Sequence, residues 1–597
     1  MVSRTRLVLL PVAMLAMACL AASVTLEPRP AEAATIQPAS RPFMGWTTWD
    51  TYRCNPTQEI VEAQAKAMHD RLGGHGYQYV NVDSICSWRI DGFGRWIYDS
   101  PQFPQGIAPV AAYVHGLGLK LGVYVNPGIP IAAVEQNTPI EGTPYHARDI
   151  IYGTTVYANE FQNTYKVDYS KPGAQRFIDS WADLLASWGA DLVKLDAVAP
   201  GSDTTSYDTR ADVQAWSAAL ARSGRHQWLE LSWHLDARYA SFWRQYANGW
   251  RTDDDIDCYG SGGCAALTAW ANPAGYVRDT ILARFFDEPQ WVPYDRPGGW
   301  SDLDSLLVGN GQLDGLKTVE RQTAVTLWAI AGSSFYTGDD LTNLDGDGLR
   351  LLTNDEVIAV DQGGVAGAPL VTNSDQQVWR AREPDGSYAV ALFNLGAHPA
   401  PVDVSWSDLG FRGAARVRDL WTHSSIGVID RGFSTVVGSH ASRLLRVWPI
   451  SDAGFRPPSP EPGPPATFYE AESPANTLSG GATVVSCGGC SGGLKVGNLY
   501  HGGTVVFNGV TAPAAGDYSL TLGYAGGDER TGYVSVNGGS EDLVGFFPKT
   551  GGWDTVGTYT IRVSLHSGAN TISFGSHAST YSPDLDRIAI APVTEEK

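Results

Sequence analysis

The chain has 597 residues, 63 acidic against 42 basic side chains, and a formal net charge of -21. That length exceeds a single domain, and so acidic a balance excludes nucleic acid, whose phosphates need a basic face. The 20 tryptophans and 26 tyrosines supply stacking surface for a neutral partner such as a sugar, although large barrels and sandwiches also bury aromatics in their cores.

The N-terminus reads as a secretion signal, residues 1–33, and the protein is expected outside the cell. Arg4 and Arg6 precede an apolar run from Leu7 to Val24, and Ala31-Glu32-Ala33 supplies a small-residue cleavage site. Cys19 lies in the apolar run, but Leu15-Ala16-Met17-Ala18 ahead of it makes a poor lipid-attachment box. No later stretch has the ~18 consecutive apolar residues of a membrane span, so no membrane partner is expected. Six cysteines then remain, an even number in an oxidising compartment. Cys258 and Cys264 stand six apart, Cys487 and Cys490 form Cys-Gly-Gly-Cys, and elimination leaves Cys54 with Cys86. No second Cys or His pair stands at zinc spacing from Cys487 and Cys490, so disulfides are favoured over a metal.

Residues 40–362 alternate between two periods. Strand-like runs are predicted at 43–49, 77–84, 119–126, 190–197, 227–233, 250–255, 290–295 and 333–339, with helical patterns between most of them. Val61, Ala65, Met68 and Leu72 fall on one helical face. Phe177, Trp181, Leu184, Leu185 and Trp188 recur at helical spacing, and Gly189 follows where a C-terminal stop belongs. Eight βα units in about 300 residues read as an α/β TIM barrel, (β/α)8. A doubly wound sheet would be expected to carry a Gly-rich phosphate turn after its first strand, and Gly45-Trp46-Thr47-Thr48 is not one.

Residues 363–450 switch to short alternating runs, the pattern of an antiparallel β-sandwich. Residues 451–466 are a proline-rich spacer that stays extended. Residues 467–597, rich in Gly, Thr, Val and Tyr, read as a second, independent β-sandwich of jelly-roll type, with few contacts expected across the spacer. A tethered β module of this kind on a secreted enzyme is expected to bind carbohydrate.

Two aspartates at strand ends carry the chemistry. Asp196 closes the run 190–196, and Asp255 follows Trp250-Arg251. Carboxylates facing each other at a barrel mouth are the usual apparatus for breaking a glycosidic bond. Alternation points Lys194 to the same side as Asp196, where a cation would keep a nucleophilic carboxylate ionised; a plain salt bridge at the rim is the bland alternative. Asp253, Asp254, Asp255 and Asp257 crowd into five residues. They cannot all ionise cheaply when partly buried, so one is expected with a raised pKa, as a general acid needs. A calcium loop is the competing reading. Gly489-Cys490-Ser491-Gly492-Gly493 matches the G-x-S-x-G pattern but lies in the β module rather than on a strand-to-helix elbow. The twelve His include no His-Glu-x-x-His.

Several ordered segments now resemble glycoside hydrolase family 27, the α-galactosidase family, over residues 43 to about 450. They are 44–49, 113–124, 191–196, Trp250-Arg251 leading to Asp255, 298–304 and 327–330. The resemblance implies a retaining mechanism, with Asp196 as nucleophile and Asp255 as acid/base, and no catalytic cofactor. It implies sugar contacts at Asp83, Lys194, Arg251 and Tyr124, a pocket wall at Trp46, and a Cys54–Cys86 disulfide. Family α-galactosidases have paired acids after strand two, which hold the 4- and 6-hydroxyls of galactose. Here the order is Asp83-Ser84, and Leu231-Ser232-Trp233 stands where a Glu precedes a Trp. Ser84 and Ser232 are therefore expected to reshape the sugar pocket. One branch, the isomalto-dextranases, which release isomaltose from dextran, resembles this chain in layout and ends in a family 35 carbohydrate-binding module. The last 130 or so residues resemble that module. The resemblance implies a structural calcium held by Glu470, Glu472 and Asp586, while Trp553 offers either a stacking platform or a core side chain. The expected partner is an α-glucan or another neutral polysaccharide. An α-galactosidase or β-L-arabinopyranosidase is the alternative, and an inactive sugar-binding protein is disfavoured because both carboxylates are present.

Overall fold

A computed structural model describes residues 37–98, 100–201, 206–257, 266–272, 277–450 and 466–593. The secretion signal, the Cys258–Cys264 pairing and the spacer at 451–465 lie outside the described residues.

Among the described residues, eight parallel strands form the central sheet. They are β1 Met44–Thr47, β2 Tyr79–Val82, β3 Lys120–Val125, β4 Ala190–Leu195, β5 Trp228–Leu231, β6 Gly249–Arg251, β7 Trp300–Asp302 and β8 Phe335–Thr337. Neighbours pair in parallel from β8 through β1 to β7. The ring is completed where Ser334 N donates to Ser301 O and Leu306 bridges Thr337. The helices α1 Gln58–Arg71, α2 Ala108–Gly116, α3 Ala174–Trp188, α4 Arg210–Arg222, α5 Ala240–Tyr246, α6 Ile281–Asp287 and α7 Thr318–Ala331 follow the first seven strands. Thr57 caps α1 by accepting from Ile60 N. In α3 the side chains of Phe177, Trp181 and Leu185 are buried, and Gly189 ends the helix in the left-handed region at φ 90°.

The predicted strand at 290–295 is not one. Glu288–Gln290 and Val292–Tyr294 are short 3-10 turns, each with a proline near its start. The seventh strand is Trp300–Asp302, which follows a Gly298-Gly299 pair that reads as a turn.

Inward side chains stack by twos along the strands, because the strand period is two. Phe43, Tyr79, Leu192, Trp228, Trp300 and Tyr336 form an apolar floor. One step up stand Asn81, Lys194, Glu230 and Asp302, joined by Arg251. The next step is Asp83, Asp196, Ser232 and Asp304, at the C-terminal mouth. Glycine makes room for the large polar layer: a Cβ on Gly249 would lie 2.0 Å from Glu230 Oε2. A disulfide joins Cys54 and Cys86, across the loops after β1 and β2.

Strands from Ala368 to Pro449 make a β-sandwich with its own apolar core, including Val390, Leu392, Trp406 and Leu445. Strands from Thr467 to Pro592 make a second sandwich of two main sheets around Phe507, Leu520, Leu522 and Ile572. Cys487 and Cys490 are disulfide-bonded within it. The expectation of few contacts across the spacer is not met. Tyr559 Oη donates to Asp375 Oδ1 at 2.9 Å, Thr560 N and O bond the backbone of Asn373 and Asp375, and Phe546 is buried in the barrel's apolar cluster.

Candidate active site

Asp196 stands one residue beyond β4, held in strand register by Asp196 N donating to Val125 O at 2.9 Å. Its carboxylate accepts two hydroxyls, Ser232 Oγ on Oδ1 at 2.6 Å and Tyr124 Oη on Oδ2 at 2.9 Å. Asn126 Nδ2 donates to the Tyr124 oxygen at 2.9 Å, which turns the phenolic proton toward Asp196. Burial and the charges of Asp196 and Asp83 hold the Tyr124 phenol well above its ordinary pKa, so it stays a donor. Two O–H donors suit an ionised carboxylate, which offers only lone pairs. Lys194 Nζ reaches Asp83 Oδ2 at 2.8 Å. Burial opposes the ammonium, but Asp83 and Asp196 outweigh it and hold Lys194 above its usual range.

Each carboxylate of the 253–257 run meets a basic side chain. Asp253 takes Arg278 and Arg284, Asp254 takes His234, Asp255 takes Arg251, and Asp257 takes Arg53. Burial works against Asp254, yet His234 holds its pKa below the usual carboxylate value. Arg251 divides its charge, with Nη2 on Asp255 and Nη1 3.3 Å from Asp304. The run is thus a set of ion pairs drawn from separate elements rather than an open cation loop.

Asp196 and Asp255 line one cavity of about 450 Å³ at the mouth, together with Asp83, Ser84, Tyr124 and Lys194. Ser84 Oγ is turned back into its own loop, where it accepts from Cys86 N at 3.1 Å. Ser232 has no exposed surface and spends its hydroxyl on Asp196, so it positions the carboxylate rather than meeting a sugar directly. Trp46 is a correction. It is 1% exposed and donates its indole N–H to Asp339 O at 2.7 Å, on the outward parity of β1. Trp49, two residues beyond the strand, lines the cavity instead. The sequence reading also missed Trp88, Phe161, Asn163 and Trp233, which line the same cavity. They sit on irregular loops, where periodicity gives no signal.

Beneath the mouth a void of about 20 Å³ is lined by the polar layer, including Asp50, Glu230, Arg251, Asp302 and Asp304. Burial opposes the Asp304 charge, but Arg251, Lys194 and Arg284 hold its carboxyl at about 2. Burial and that charge then push Asp302 and Asp50 each up to about 7. Burial and the Asp302 charge raise Glu230 well above its ordinary value. Asp302 and Asp304 lie in the 298–304 segment that signalled the family, and that segment was the signal that could have found them.

In the C-terminal module, Glu470 Oε1 accepts from Ser491 Oγ at 2.9 Å and Asp586 Oδ1 from Ser491 N at 2.8 Å. The buried Oε2 atoms of Glu470 and Glu472 have no hydrogen-bond partner. Burial and the charges of Glu470 and Asp586 raise Glu472; burial and Glu470 raise Asp586. Orphaned carboxylate oxygens among like charges fit a hard cation, although among the described residues no three such side chains are gathered into a metal cage. Trp553 is 38% exposed, with the Arg530 guanidinium 4.4 Å from its ring centre, so it is a surface ring rather than a core one.

Comparison with known proteins agrees with this architecture. Residues 41–135 and 145–363 match the family model "Alpha galactosidase A", and residues 373–447 match "Alpha galactosidase C-terminal beta sandwich domain". Residues 470–592 match "Carbohydrate binding module (family 6)", which corrects the family 35 expectation. An α-galactosidase of Coffea arabica is 30% identical over 68% of this chain and 94% of its own. The structure of a family 27 β-L-arabinopyranosidase from Geobacillus stearothermophilus is 30% identical, with TM-score 0.62, over 70% of this chain and 98% of its own. The isomalto-dextranase of Arthrobacter globiformis T6, complexed with panose, shares the fold at TM-score 0.56 and 21% identity, over 92% of this chain and 96% of its own. The chain is a glycosidase and belongs to the α-galactosidase family, glycoside hydrolase family 27.

Proposed function

We propose that the protein is a secreted, retaining exo-α-glycosidase that releases isomaltose from the non-reducing end of dextran. The observation that carries the reaction is one cavity with Asp196 and Asp255 on its wall, delivered by the ends of β4 and β6. Asp196 attacks the anomeric carbon while the glycosidic C–O bond breaks and Asp255 gives its proton to the leaving oxygen. A water then gives a proton to Asp255 and attacks the same carbon, and the bond to Asp196 breaks. Two inversions return the starting configuration. Ser232 and Tyr124 aim Asp196, and Asp83 and Lys194 present a charged pair to the sugar hydroxyls.

The glucan preference is supported by Ser84, which stands where a second carboxylate would grip galactose and whose hydroxyl is engaged within its own loop. It is supported too by the aromatic rim. Trp88 is 45% and Phe161 44% exposed, and Phe161 meets Trp233 edge-on at 5.7 Å. Such a rim suits stacking of further glucose units rather than a single sugar. A β-L-arabinopyranosidase or α-galactosidase is the second reading, favoured by the 30% identities. Incubation with dextran, an α-galactoside and a β-L-arabinopyranoside, followed by identification of the released sugars, decides. Isomaltose from dextran is expected; free galactose or arabinose with dextran untouched would replace the glucan reading by the second.

The module is further proposed to hold calcium through Glu470, Glu472 and Asp586, where the ion would cross-link the first and last strands of its sandwich. A chelator should then lower the melting temperature of the full chain, and an unchanged value would remove the metal.

A further inference from the structure

The segment that carries Asp255 is propped from behind by buried charges that run out of the barrel and end on the C-terminal module. Asp253 has no exposed surface, and its two oxygens accept from Arg278 Nη1 and Arg284 Nη1, each at 3.1 Å. Arg284, equally buried, also donates to the carbonyls of Leu303 and Asp254. Arg278 turns its Nη2 the other way, onto Glu529 Oε1 at 2.8 Å. Glu529 belongs to the module, in the turn between the strands Gly516–Gly526 and Arg530–Val536. Its side chain is 11% exposed, and Lys549 Nζ is 3.5 Å away.

An apolar clamp runs beside this path. Phe286 of α6 stacks on Phe546 of the module with ring centres 5.3 Å apart. Gly545 lies so close that a Cβ there would come within 2.5 Å of Leu282 Cδ2. Helix α6 is therefore held by the module through Leu282 and Phe286, while its Arg284 binds the Asp253-Asp254 backbone and side chain.

A buried ionic network is sensitive to the loss of one member, because the remaining charges were desolvated in its company. Buried Asp287 also faces both Arg278 and Asp253, so without the Glu529 charge Arg278 is drawn toward Asp287 and its hold on Asp253, two residues before Asp255, is reset. Proton transfer to a leaving group demands sub-ångström placement of the acid. We propose that the module is part of the catalytic apparatus, and that Glu529, through Arg278 and Asp253, is a positioning residue for Asp255. This rests on the reading of Asp255 as the acid/base.

The test uses the full chain carrying Glu529→Gln, which keeps shape and removes charge, with its melting temperature recorded. kcat/KM is measured on two substrates with one glycone: an oligosaccharide, whose leaving group needs a proton, and a dinitrophenyl glycoside, whose leaving group does not. The expected loss is about tenfold on the oligosaccharide and under about twofold on the aryl glycoside, with KM on the oligosaccharide unchanged. A merely structural role would lower both alike. Equal losses, or none on either, overturn the positioning role, and the acid/base reading stands if Asp255→Asn still shows the leaving-group pattern. If Asp255→Asn lacks that pattern, both readings fall.

Discussion

Ser232 shows how much a single hydroxyl decides at the residue scale. It is fully buried and its bond to Asp196 is the shorter of the two hydroxyl contacts. Ser232→Ala should therefore lower kcat about tenfold through a looser nucleophile, with KM changed less than about twofold. Steady-state kinetics check this, and a KM effect alone would mean that Ser232 meets the sugar instead. The shared face of Asp196 and Lys194 was legible in the sequence, because a period of two leaves no choice of face, whereas Asp83 came from the family resemblance alone. Trp46 was misplaced by the resemblance, and parity would have corrected it: it shares parity with Met44, on the outside of β1, and the wall falls to Trp49 beyond the strand. The partners of the 253–257 carboxylates were not legible, since Arg278, Arg284, His234 and Arg53 reach them from distant parts of the chain.

At the scale of elements, the barrel holds a charged layer because small residues face it. Gly249 on β6 is the tightest case, with 2.0 Å between a virtual Cβ and Glu230 Oε2. Gly249→Ala should cost about 1–3 kcal/mol by overpacking a site that cannot yield, read as a fall in the denaturation midpoint. A midpoint unchanged from the parent would mean that Glu230 has room to move. Seven of the eight barrel strands were predicted in place, and long amphipathic helices such as α3 announced themselves. Strand β7 escaped because it directly follows the Gly298-Gly299 pair, which reads as a turn.

At the scale of the whole molecule, the sandwich and the module meet at Asp375. Burial pushes its carboxyl up to about 7, against the Tyr559 hydrogen bond that favours the charge. The folded chain then keeps a proton that the unfolded chain loses near its ordinary value of 3.8. Stability from this group is full below that value, falls as pH rises through the window to about 7, and levels off above it. The melting temperature of the parent minus that of Asp375→Asn should accordingly decline between those limits, and parallel curves would contradict the assignment. The docking that creates this interface was hidden in the sequence, because a proline-rich spacer speaks of a tether and says nothing of the surfaces it brings together. Retention through Asp196 requires that it become covalently bound to the sugar. The most direct measurement is peptide mass spectrometry after the enzyme is treated with a fluorinated, activated α-glycoside that forms the intermediate faster than water clears it. One added glycosyl mass is expected on the peptide containing Asp196. The same mass on Asp255, or turnover with inverted product and no labelled peptide, would contradict it.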